Sequence, residues 1–100
     1  MEINIQKTAN NVVAALIGSF DTQAALEAEP QIKEIEALCE MPLIVDCTAL
    51  EYIASSGLRA LLRMRKAAAA KGNKVTLQGV NTNIMEVLQV THFDKMFEFC

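Results

Sequence analysis

Ile3 and Ile5 alternate with Glu2, Asn4 and Gln6, the period of two that marks a half-buried strand. Ala9, Asn10 and Asn11 tolerate turn geometry, and the run from Val12 to Ile17 that follows is apolar on both alternating sets, as in a central strand. The two segments are predicted to pair as a hairpin. Asp21 is a good N-cap for a helix over Thr22 to Cys39, where Ala28, Ile32, Ile35 and Cys39 recur at helical spacing and Glu and Lys fill the other side. Pro30 interrupts this pattern: it lacks a backbone donor and crowds the preceding turn, so a kink or restart is predicted nearby.

Leu43, Ile44 and Val45 form a short apolar run ended by Asp46, the signature of a buried strand reaching its carboxyl edge. A loop is predicted from Cys47 to Ala54. Ser55 and Ser56 then open a second helix with Leu58, Leu61, Leu62 and Ala69 on one face and Arg59, Arg63 and Lys66 on the other. Lys71 and Gly72 stop it, a cation complementing the C-terminal dipole and a glycine accepting a left-handed cap. A strand over Lys74 to Gln78 completes a βαβ unit whose strands should lie parallel. Asn83 with Glu86 offers a capping box for a third helix over Ile84 to about Val90, with Asn81 as the competing cap. Phe97 and Phe99 point to a final edge strand.

Composition narrows the class. One hundred residues, 52% hydrophobic and 21% charged, suit one compact domain and leave no room for a second. A net charge of −3 argues against nucleic-acid binding, which needs a basic surface to displace counterions from phosphates. Cys39, Cys47 and Cys100 are widely separated and read as reduced thiols, neither a disulfide framework nor a metal cluster. The N-terminal MEINIQKTANN lacks the basic and apolar regions of a signal peptide, and no run approaches the roughly 20 apolar residues of a membrane span, so a cytoplasmic protein without membrane insertion is expected. One histidine, no metal-spaced ligands and no nucleophile beside an evident base leave nothing to run catalysis. A non-enzymatic protein without cofactor or metal is therefore expected.

The informative segment is Asp46 to Leu62, DCTALEYIASSGLRALL, which joins a buried strand to a helix through two hydroxyls and a glycine. Partners of open α/β sheets meet them at such carboxyl ends of strands. A phosphate on Ser55 would sit at a helix's first turn, where free N–H groups and the positive dipole end stabilise negative charge. The plainer reading is that Ser55 or Ser56 caps the helix, worth about 1 kcal/mol, and that Gly57 relieves crowding in the first turn.

The segment LIVDCTALEYIASSGLRALL resembles the core of the STAS family, whose bacterial anti-sigma factor antagonists (anti-anti-sigma factors) carry a strand, a loop and a Ser-Ser/Thr-Gly-Leu helix start. GSFDTQAAL is similar to the family's second strand and first helix start, and KGNKVTLQGVNTNIMEVLQVTHFDKMFEF to its fourth strand, third helix and last strand. The likeness covers nearly the whole chain. It implies a single α/β domain over residues 1–100: a mixed central sheet of about five strands, an N-terminal hairpin, and helices packed mainly on one face. The C-terminal helix in which many members end has no counterpart before Cys100.

By the same resemblance, Ser55 is the phosphoacceptor, with Ser56, Gly57, Asp21 and Asp46 as its neighbours. Asp21 matches the acidic residue beside the acceptor and Asp46 the Asp or Asn that ends the third strand; their plainer roles are a helix cap and a solvated strand end. Two departures stand out. Ala54 occupies the position before the acceptor where phosphorylated members usually carry Asp, and His92 stands where many members have glycine. The implied function is a phosphorylation-controlled regulator of transcription, a monomer or weak dimer. It would bind an anti-sigma factor with serine kinase activity and be switched off when Ser55 is phosphorylated. Arg59, Arg63 and Lys66 would meet acidic groups of that partner, although such a stripe is more often a solvated helix face. ATP and Mg²⁺ would belong to the kinase, since neither GxxxxGKS/T nor GxGxxG occurs here. The alternative is an unphosphorylated adaptor subunit of a membrane transport system, which Ala54 slightly favours.

Overall fold

The computed structural model describes residues 1–100. In chain order the elements are β1 (Glu2–Lys7), β2 (Val12–Phe20), α1 (Thr22–Glu27), α2 (Glu29–Ala37), β3 (Leu43–Asp46), β4 (Leu50–Ile53), α3 (Ser55–Ala70), β5 (Val75–Gln78), α4 (Thr82–Val90), a 3-10 turn (Phe93–Met96) and β6 (Glu98–Phe99). The sheet runs β1-β2-β3-β5-β6, with β4 paired to β2 off this path. Only β1 and β2 are antiparallel. The hairpin between them is fastened by its polar turn: the Asn11 N–H donates to Thr8 Oγ1 at 3.0 Å, and Thr8 Oγ1 lies 2.8 Å from Asn11 Oδ1.

Register explains how the central strands make a core. Val12, Leu43 and Val75 lie side by side on β2, β3 and β5, as do Ala14, Val45 and Leu77. All six are buried, whereas the alternate residues Val13, Ile44 and Thr76 are only half-buried. The sheet thus turns one face fully inward, where Ile32, Ile35, Leu58, Leu61 and Met64 of the helices join it in one hydrophobic cluster. At roughly 25 cal/mol per Å² of apolar surface removed from water, this cluster is the dominant favourable term in the fold.

The helix predicted over Thr22 to Cys39 is two helices, and the interruption falls at Ala28, with φ −87° and ψ 0°. Pro30 is the cause, two residues later. In the first turn of α2 its missing N–H is one the helix would leave unpaired anyway, whereas one unbroken helix would place it in the interior. On α3 the buried residues are Gly57, Leu58, Ala60, Leu61, Met64 and Ala68. Ala69 is exposed and Leu62 half-buried, a rotation of the expected face that brings Met64 and Ala68 inward. Asn81, not Asn83, caps α4: its Oδ1 accepts from the Ile84 N–H at 2.8 Å while its Nδ2 donates to Leu50 O at 3.0 Å. The second bond ties the cap to β4 and decides between the two asparagines; Asn83 lies inside the helix, so the Asn83–Glu86 capping box does not form.

The predicted loop from Cys47 to Ala54 contains a strand. β4 lies parallel to the end of β2, Tyr52 beside Ser19 and Ile53 beside Phe20, with a register shift between Gly18 and Ser19. The sheet therefore has six strands rather than five. No helix is long and apolar enough to cross a membrane.

His92 has φ +63° and ψ +16° and is the one non-glycine residue with positive φ. This left-handed turn lets the chain leave α4 for the 3-10 turn, and a side chain there is strained by about 1 kcal/mol. His92→Gly is therefore expected to keep the fold and raise its unfolding free energy by up to about 1 kcal/mol, less the entropy that glycine adds to the unfolded chain. Urea denaturation checks this, and a clear loss of stability would show that the imidazole contributes packing that outweighs the strain.

Candidate functional site

The chain passes from β4 into α3 through Ala54, which is extended at φ −96° and ψ 175° and occupies the N-cap position. Its N–H donates to Phe20 O at 2.9 Å and its carbonyl accepts the Leu58 N–H at 3.0 Å. Neither serine is the cap. Ser55 is the first helical residue; its exposed hydroxyl makes no hydrogen bond within the protein. Ser56 is half-buried, with its hydroxyl 3.2 Å from Thr22 Oγ1 and within 3.3 Å of Arg59 Nη2. The two neighbouring hydroxyls thus differ: Ser56 is held between α1 and Arg59, and Ser55 is free.

Alanine offers no side-chain acceptor for the first N–H groups of α3, so this end keeps unpaired donors and the positive end of the helix dipole. Gly57 lets the helix start come close. A Cβ there would lie 2.8 Å from both Phe20 O and Ile53 Cγ1, and 2.9 Å from Phe20 Cγ. Glycine at this position is thus a packing requirement of the junction of α3 with β2 and β4, more than relief of crowding within a turn.

Asp21 lies at the same junction. It follows Phe20 as Ser55 follows Ala54, so the hydrogen bond between Phe20 and Ala54 brings both to one end of the sheet. Its Oδ1 accepts the Ala24 N–H at 2.8 Å, capping α1 as the sequence predicts, and the side chain is otherwise exposed. Asp46 is placed differently. Register sets it beside Ala15, five residues before Phe20 on β2, or roughly 16 Å at about 3.3 Å per residue. Its Oδ1 accepts from the Thr48 N–H at 3.0 Å and Thr48 Oγ1 at 2.6 Å, closing the turn after β3.

The cationic stripe divides as well. Arg59 and Lys66 are exposed, two turns apart on one side of α3. Arg63 between them is committed within the molecule: Nη1 meets Glu29 Oε2 at 2.8 Å and Nη2 meets Glu36 Oε1 at 2.7 Å. Those two bonds raise the Arg63 pKa further, and the bond to Arg63 holds the Glu29 carboxyl below its ordinary value. Arg63 thus clamps α2 to α3.

Two large apolar side chains near the site carry no sequence signal, because only their exposure distinguishes them. Tyr52, three residues before Ser55, is 54% exposed, and Leu26, one turn beyond Thr22 on α1, is 68% exposed. Thr22, the partner of Ser56, was likewise invisible without the fold. The cysteines take no part: Cys39 and Cys47 are buried and Cys100 exposed, and burial with the nearby Asp46 pushes the Cys47 thiol up to about 12.

The sequence model of the STAS domain matches residues 2–100 of this chain. Among similar solved structures is an anti-sigma-factor antagonist (STAS) domain protein from Planctomyces limnophilus, at TM-score 0.82 and 22% identity, covering 98% of this chain and 87% of that one. The phosphorylated form of the Bacillus cell fate determinant SpoIIAA matches at TM-score 0.73 and 18% identity over 99% and 91% of the two chains. A sulfate transporter family protein from Wolinella succinogenes matches at 0.71 and 20% over 88% and 71%. At these identities the likeness is one of fold.

Two outcomes follow from the geometry. Gly57→Ala should destabilise the domain by about 1 to 3 kcal/mol, the range for forcing a methyl into packed surroundings; a thermal melt reads it, and an unchanged midpoint would show that Phe20 and Ile53 yield freely. The Arg63 clamp should respond to acid. Because the Glu29 pKa is lowered in the folded state, the pair's contribution is present above the unfolded carboxylate range and lost as pH falls through the folded value. Arg63→Gln should therefore lower the melting temperature at neutral pH, and the difference from the unsubstituted chain should shrink as pH falls below the ordinary carboxylate range and Glu29 is protonated.

Proposed function

We propose that this chain, which belongs to the STAS domain family, is an anti-sigma factor antagonist. In this reading it is a non-catalytic binding module that docks on an anti-sigma factor kinase and is shut off when that partner phosphorylates Ser55. The observation that carries the proposal is the contrast between the two serines. A kinase needs a hydroxyl it can reach, and Ser55 is exposed and unbonded whereas Ser56 is held by Thr22 and Arg59.

The surroundings of Ser55 suit a reversible charge. A phosphate there would meet the uncapped N–H groups of α3 and lie one turn from Arg59, both of which stabilise the dianion. The unmodified surface has the elements of a docking site: Tyr52 and Leu26 as apolar anchors, with Arg59 and Lys66 as exposed cations that have no carboxylate partner of their own and suit an acidic partner. Adding close to two negative charges beside Asp21 would oppose that partner and draw Arg59 away from it. Arg63 has no place in this surface while Glu29 and Glu36 hold it, and Asp46 is too far along the sheet to share the phosphate's field strongly.

Ser55→Asp is expected to weaken binding of the partner at least tenfold relative to Ser55→Ala, about 1.4 kcal/mol. The partner is identified by a pull-down from native cells, with mass spectrometry of the Ser55 peptide in the same sample. Equal affinities of the two variants, or phosphate found on Ser56 instead, would overturn the reading. Recovery of membrane transporter subunits with unmodified Ser55 would support the adaptor role in its place.

A further inference from the structure

A second feature lies at the other end of α3. Arg65 is ten residues beyond Ser55, roughly 15 Å along the helix at about 1.5 Å per residue. There α3, the start of β5, the 3-10 turn and β6 enclose a groove of about 330 Å³. Val75 and Phe97, both buried, contribute apolar lining, and Met96, 39% exposed, lies at its edge. Three cations line it: Arg65, Lys74 and Lys95.

Their partners set the charge of the groove. Lys74 meets Glu98 at 3.2 Å. Arg65 has no carboxylate; its Nε donates to Met96 O at 2.6 Å, which anchors the guanidinium on the wall and leaves its two terminal nitrogens with donors to offer. Lys95 has no carboxylate within salt-bridge distance either, so two positive charges are without an ion-pair partner in a groove whose lining is part polar and part apolar. The chain as a whole carries −3, so this concentration runs against the net charge. Ligand sites combine these features: a concave apolar surface of a few hundred Å³ with a small number of convergent polar groups that fix orientation. Arginine with a fixed plane and two free nitrogens suits the paired oxygens of a carboxylate or phosphate.

We propose that this groove is a binding site for a small organic anion, one carboxylate or phosphate group on a compact apolar body. The anionic group pairs with Arg65 and Lys95, and the body lies against Val75 and Phe97. The site is distinct from Ser55 and does not depend on how Ser55 is used. Because α3 carries both, occupancy of the groove also touches the helix that presents the acceptor.

The test is an amide NMR titration of the full chain with phenyl phosphate, alongside inorganic phosphate and neutral benzyl alcohol. Phenyl phosphate should give saturable shifts concentrated at Arg65, Lys74 and Lys95 to Glu98, with affinity at least tenfold above either comparison compound. Lys95→Gln, an exposed position with no partner to lose, should weaken it severalfold; Arg65→Gln should weaken it at least tenfold, while Arg59→Gln at the other end of the helix changes nothing. Scattered or unsaturable shifts, equal binding of benzyl alcohol, or unaltered affinity in both groove variants would overturn the proposal. So would binding only of an acidic peptide from a protein partner, since that would make the groove part of a protein interface.

Discussion

The hydrogen bond from the Ala54 N–H to Phe20 O is the constraint on which the geometry of the candidate site depends. It closes the short ladder between β2 and β4 and fixes where α3 begins. A strand of four residues with one partner is marginal alone. Here Ile53 is buried against the core, Asn81 holds Leu50 from the other side, and Gly57 allows the helix to sit against Phe20 at a distance no side chain permits. These contacts share residues, so they act together: loosening one loosens the start of α3 and with it the position of Ser55.

The rest of the fold supports that junction through rigid layers. Buried rows across β2, β3 and β5 fix the sheet, and α2 is tied to α3 by Arg63. The clamp lies near the solvent, its three side chains 29 to 38% exposed, so screening limits its energetic weight. Its geometric effect is more important. With two carboxylates on one guanidinium, α3 cannot roll about its axis without breaking both bonds, and a roll would carry Ser55 and Arg59 together out of line with Asp21 and Thr22 at the start of α1.

Much of this was legible in the sequence because it is written in periodicity. The hairpin, the strands at Leu43 and Val75, α3 and the Asp21 cap all follow from alternation, helical spacing or capping chemistry. β4 was not legible: its burial runs buried, exposed, exposed, buried, which matches no strand period, because it pairs only with the end of β2 where the register shifts. The break at Ala28 was foreseen through Pro30 but could not be positioned, since proline is accepted anywhere in a first turn and the sequence does not say where that turn starts. At the site, local chemistry misled in one respect. Two serines before an amphipathic run read as caps, yet the cap is the alanine before them, because the pairing of β4 with β2 settles where the chain turns helical. Asp46, adjacent in the same sequence segment, is separated from Ser55 by the length of β4, a distance that a motif cannot convey.

The alanine cap is the point at which stability and the proposed function part. Asp, Ser or Asn at position 54 would satisfy an N–H of α3 and strengthen the domain by about 1 kcal/mol. It would also fill the space in which an anion on Ser55 finds its donors, and an aspartate would add a charge opposing that anion. Ala54 therefore leaves the helix end less stable and more receptive to negative charge than a capped one. Alanine in place of an aspartate also leaves this surface, on which Arg59 and Lys66 stand exposed, without one acidic group, so the unmodified site is more positive around Ser55 than a motif with aspartate would make it. Under the proposed switch, a docking surface that begins more positive would have more attraction to lose on phosphorylation of Ser55, and the contrast between its two states would be correspondingly greater.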